Sequence, residues 1–102
     1  MIKVFTLAEL DIPTATTRVQ LTDTPTNVLS VTIQADTANT NGVWVGDISV
    51  AATRGLRLAP GQSVTFSAET TGRHGEEFDM SDIYVDTDAN GNDVWISYVK
   101  RK

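Results

Sequence analysis

Cysteine is absent from the 102 residues, so neither a disulfide nor a thiolate metal site holds this chain, and packing alone must do so. Histidine occurs once. A transition-metal centre wants several nitrogen or sulfur ligands, which one imidazole does not supply. The chain also has no Gly-x-Ser-x-Gly elbow, so a hydrolase triad built on His74 has no partners to name. Basic residues are scarce: eight Lys and Arg against thirteen Asp and Glu leave a net charge of -5. Affinity for nucleic acid rests on cations neutralising phosphates, so this balance argues against a nucleic-acid partner. Long apolar runs are missing as well. The opening Met1 to Ala8 stretch is too short for a signal-peptide core and no run approaches a membrane span, so the chain is expected to work without a Sec signal of its own and without a membrane. No cofactor is expected.

What is there is alternation. Leu29, Val31, Ile33 and Ala35 fall on one side of an extended chain, with Ser30, Thr32 and Gln34 on the other, the period of a strand with one buried face. Similar short runs follow at Gly42 to Val50, Gly55 to Leu58 and Gln62 to Phe66, separated by Gly, Asn or Pro60-Gly61. Thr16 to Thr22 alternates too, and Asp82 to Asp86 and Val94 to Val99 are apolar or aromatic at alternate positions. Asn90-Gly91 between the last two predicts a hairpin. No helix of convincing length is visible. The expectation is all-β: a single antiparallel β-sandwich, jelly-roll-like, over residues 16–102, preceded by an N-terminal arm or edge strand over 1–15. Within that arm, Pro13 removes a backbone donor, and Ala8 to Thr14 reads as an extended segment crossing the surface or reaching a neighbour.

Four features bear on function. Asp86-Thr87-Asp88-Ala89-Asn90-Gly91-Asn92-Asp93 matches the first half of an EF-hand loop, making Asp86, Asp88, Asn90 and Asp93 a candidate cation loop. Position twelve is Ser97 rather than Glu, and acidic turns of this kind are common as solvated loop tips, so no metal is assigned. His74, with Glu76 or Glu77 orienting it, could be drawn as a general base, and a flexible polar loop explains the same residues. Seven of the thirteen acidic residues fall between Glu76 and Asp93, either as a solubilising end or as a patch for a basic partner. Trp44 and Trp95 are out of phase with their apolar neighbours, which puts each on the outer side of its strand. An outward Trp suits a sugar platform or, beside β-branched residues, a subunit interface.

The run from Val19-Gln20-Leu21 through Ser30-Val31-Thr32-Ile33-Gln34-Ala35-Asp36, Val43-Trp44-Val45-Gly46-Asp47, Gly55-Leu56-Arg57-Leu58-Ala59-Pro60-Gly61-Gln62-Ser63 and on to Phe66 resembles a recurring small virion protein of tailed bacteriophages. Asp82-Ile83-Tyr84-Val85-Asp86 extends the likeness to about two thirds of the chain. The Thr71 to Met80 loop and the Asn-Gly turn depart from it. The resemblance implies an all-β accessory component of head or tail, made in the host cytoplasm and carried in the virion. The resulting expectation is a non-enzymatic protein that decorates or cements the capsid, bound to the major capsid protein as a homo-oligomer, a trimer. Its contacts are expected from Phe5, Leu10, Ile12, Pro13, Trp44, Arg73, His74 and Phe78. An adhesion or carbohydrate-binding module of a tail or head fibre is the alternative.

Overall fold

The computed structural model describes residues 2–7, 10–12, 18–22, 24–51, 54–67, 78–87 and 91–101. These residues form antiparallel sheets and one 3-10 turn, with no α-helix among them, as the alternating sequence predicts. Eleven strands follow one another: β1 (Ile2–Thr6), β2 (Leu10–Ile12), β3 (Val19–Gln20), β4 (Asn27–Val28), β5 (Ser30–Ala35), β6 (Val43–Gly46), β7 (Leu56–Leu58), β8 (Ser63–Ser67), β9 (Phe78–Asp79), β10 (Tyr84–Thr87) and β11 (Asn92–Arg101).

The ten residues of β11 organise the larger sheet. On one side β11 pairs with β5, which pairs in turn with β8. Its other side meets β1 over Ser97 to Arg101 and β2 over Asn92 to Val94. Residues 2–6 and 10–12 therefore run along β11 as strands rather than reaching away. A strand this long would otherwise present a row of unpaired amides and carbonyls. The second sheet has the order β3-β10-β6-β7, and β4 with β9 makes a two-stranded third.

Both larger sheets feed one core. Val31, Ile33, Ala35, Val94 and Ile96 come from the first, and Val43, Val45, Leu58 and Val85 from the second, with Val28 from β4 and with Leu21 and Met80 from outside the strands. Each buried Val or Ile contributes about 1.5–3 kcal/mol relative to exposure.

Two expectations change here. Leu29 leaves the buried row expected for it: it stands half-buried in a bend between β4 and β5, donates its backbone N–H to the Val99 carbonyl at 2.7 Å, and Val28 takes the fully buried position instead. The Asn90-Gly91 hairpin does not form either. β10 lies in the four-stranded sheet and β11 in the five-stranded one, so the chain crosses between sheets at this point. Gly91 has the positive φ of 78° that a tight reversal needs. The crossing is sealed by Asn92, whose side-chain amide donates to Thr87 Oγ1 at 2.7 Å while its carbonyl oxygen accepts from Thr40 N at 3.1 Å. Pro60-Gly61 does turn as predicted, with Gln62 N donating to Ala59 O at 2.9 Å and Gly61 at φ 86°.

Candidate functional site

Antiparallel partners share a face, so the register maps the outer side of the five-stranded sheet directly. One row across it reads Thr6, Ser97, Thr32, Thr65; the next reads Val4, Val99, Ser30, Ser67; the third reads Trp95, Gln34, Ser63. No charged side chain stands in any of the three rows, in a chain whose residues are 21% charged. Trp95 is 46% exposed and Val4 66%. Thr32 and Thr65 hydroxyls bond each other at 2.9 Å, and Gln34 donates to Gly61 O at 3.3 Å. Thr6, Thr32, Gln34, Trp95 and Ser97 outline a shallow recess of about 120 Å³. These rows are neutral and rich in hydroxyls, with an indole at one end and the Asp93–Asp11 pair in the row beyond it.

The residues that build this face were legible only in part. Trp95 stands out in the sequence because it is out of phase with Val94 and Ile96. The hydroxyl rows were missed, although the alternation that buries Val31, Ile33 and Ala35 also turns Ser30, Thr32 and Gln34 outward. What the sequence does not show is that β1, β8 and β11 bring further uncharged residues alongside them.

Trp44 behaves differently from Trp95. It stands opposite Asp86 on one side and Arg57 on the other, on the far side of β6 from Val43 and Val45, yet it is only half-buried rather than displayed. Its indole N–H is buried with no hydrogen-bond partner. Arg57 lies across Gly42, where an added Cβ would come within 2.6 Å of its Nε. Asp86 is 1% exposed, and its carboxylate accepts from Thr87 N at 2.7 Å.

The other expected contact residues are dispersed. Phe5 stacks on Tyr98 with ring centroids 5.3 Å apart, and the ammonium groups of Lys3 and Lys100 sit 5.6 and 5.7 Å from its centroid. Leu10 packs against the core, and Ile12 pairs with Asn92. Of the cation loop, Asp86 belongs to β10 and Asp93 to β11, in different sheets. Among the described residues no three His, Cys, Asp or Glu side chains gather as metal ligands would. Pro13, Arg73, His74, Asp88 and Asn90 lie outside the described residues.

Phe78 has a distinct setting. With Phe66, Ile83 and Gly46 it lines a cavity of about 320 Å³ that is also bordered by Asp47, Asp79 and Asp82. Asp79 Oδ1 accepts from Thr26 N at 3.0 Å and Ser81 N at 2.9 Å, capping the 3-10 turn Met80–Asp82. The Ser81 backbone N–H and hydroxyl, and then the Thr26 N–H, hold this carboxyl below the usual aspartate pKa. Asp47 Oδ1 accepts from Ser49 N at 2.8 Å.

Comparison of the chain with protein-family models, with curated proteins and with solved structures finds no match.

Proposed function

We propose that this chain is a non-enzymatic bacteriophage virion protein, a jelly-roll-like β-sandwich that decorates or cements the capsid as a trimer bound to the major capsid protein. The observation that carries a binding role is the block of three uncharged rows in the middle of the outer face of the five-stranded sheet. The centre of a protein interface is depleted of charge and enriched in aromatics, and an apolar and hydroxyl surface with an exposed Trp costs little to desolvate compared with one bearing ions. The N-terminal strand takes part by contributing Val4 and Thr6 to this face. Attachment, rather than turnover, is what such a surface does.

Cosedimentation with capsids lacking the protein tests the reading. Thr32→Lys places a charge mid-face and is expected to weaken binding at least about tenfold, whereas Ile48→Lys, an exposed position off this face, leaves it unchanged. Full binding by Thr32→Lys overturns the assignment of the face. Sedimentation equilibrium of the free protein checks the trimer.

The recess beside Trp95 favours a second reading, a carbohydrate-binding module. A pyranose ring would stack on the indole while Gln34 and the hydroxyls of Thr6 and Ser97 bond its substituents. Glycan-array binding lost in Trp95→Ala, with capsid binding absent, would select it.

A further inference from the structure

The cavity bordered by Asp47, Asp79 and Asp82 lies apart from the uncharged face and has a different chemistry. Its floor is two Phe rings and an Ile, and at about 320 Å³ it stands at the small end of the roughly 300–1,000 Å³ typical of ligand sites. That is room for one large side chain rather than an extended ligand. Three carboxylates border it, with no Lys, Arg or His among the described lining residues. The site is preformed: Asp79 is pinned by two backbone N–H groups, β9 is paired to β4, and Asp47 is held in its own turn.

We propose that this cavity docks a basic, apolar segment of a protein partner, with one Leu- to Phe-sized side chain on the Phe66, Phe78 and Ile83 floor and an adjacent Lys or Arg meeting the carboxylates. Charge complementarity selects this occupant. An acidic segment would add to three like charges, and a purely apolar one would leave them unrelieved, while a flanking cation both steers the encounter and fixes register. Asp79 already accepts from the Thr26 and Ser81 backbone and from the Ser81 hydroxyl, so the exposed Asp82 and Asp47 are the carboxylates that meet the incoming cation. The inference does not depend on a virion role, because the face proposed for capsid attachment is formed by other residues.

The test is fluorescence polarisation on the full chain at low ionic strength, with three labelled peptides identical but for a central Lys-Phe-Lys, Lys-Ala-Lys or Asp-Phe-Asp. Lys-Phe-Lys is expected to bind saturably, with each control at least about tenfold weaker, the step that separates one pocket contact from none. Binding should weaken as salt rises. Asp82→Lys, at an exposed position, is expected to lose at least the same tenfold without loss of fold by circular dichroism, and Phe78→Leu to lose less. Equal binding of Lys-Ala-Lys or Asp-Phe-Asp, wild-type binding by Asp82→Lys, or no saturation at millimolar peptide overturns the proposal. Self-association by sedimentation velocity that Lys100→Glu abolishes would also overturn it, by making a second copy the occupant. Capsid cosedimentation of Asp82→Lys, expected unchanged, separates failure here from failure of the attachment face.

Discussion

Asp79 shows how much one side chain can be asked to do. Its carboxylate caps a turn, joins β9 to the residue before β4 and borders the cavity. Since its folded pKa is depressed, its contribution to stability is present above the unfolded value of about 3.9 and is lost as pH falls through the lower folded value. Asp79→Asn keeps the acceptor and removes the charge. It should therefore destabilise by about 0.5–1 kcal/mol in urea unfolding at pH 7, and the difference should shrink below about pH 4; a pH-independent difference would contradict this. Glycines separate in the same way. Gly55 has φ 124° and an added Cβ there would lie 2.8 Å from the Val45 carbonyl oxygen, whereas Gly91 at φ 78° has open space around it. Gly91→Ala is expected to cost about 1–2 kcal/mol, the left-handed penalty alone, and Gly55→Ala measurably more, read from thermal midpoints.

At the level of elements, β11 decides the architecture by giving one edge to the N-terminal strands β1 and β2 and the other to β5. Deleting residues 1–12 would strip β1 and β2 and expose one edge of β11, and the truncated protein should aggregate at concentrations the full chain tolerates, followed by light scattering. The step from β10 to β11 depends on Asn92. Asn92→Ala would leave Thr40 N, Asn41 O and part of the bonding of Thr87 Oγ1 without a partner, a loss of about 2–3 kcal/mol for a buried polar cluster, measurable by urea unfolding. Asn-Gly is a signal for a local reversal, and Gly91 does take the left-handed φ that such a turn uses. Whether the strands on either side then pair with each other depends on partners far away in sequence, and here β6 and β5 capture one each.

Across the whole molecule, charge is partitioned. The three middle rows on the outer face of the five-stranded sheet carry none, the cavity border collects Asp47, Asp79 and Asp82, and Lys3 and Lys100 meet around Phe5. A neutral face is not needed for folding, because exposed positions tolerate substitution within about 0.5 kcal/mol. Thr32→Lys should thus unfold in urea at nearly the wild-type midpoint while failing to bind its partner, and a large stability loss would show instead that the rows serve the sheet itself.

Period-2 alternation is a property of adjacent residues, so the sequence alone was enough to settle that this chain is all-β, that Val31, Ile33, Ala35, Val94 and Ile96 turn inward, and that Trp95 turns out. Strand pairing joins residues far apart, and nothing in a local pattern names the partner. The departure of Leu29 from the buried row, the N-terminal strands zipped onto β11, the half-burial of Trp44, the uncharged rows and the acid-bordered cavity were decided only when the sheets closed on a common core, because each is made by side chains that the chain itself keeps far apart.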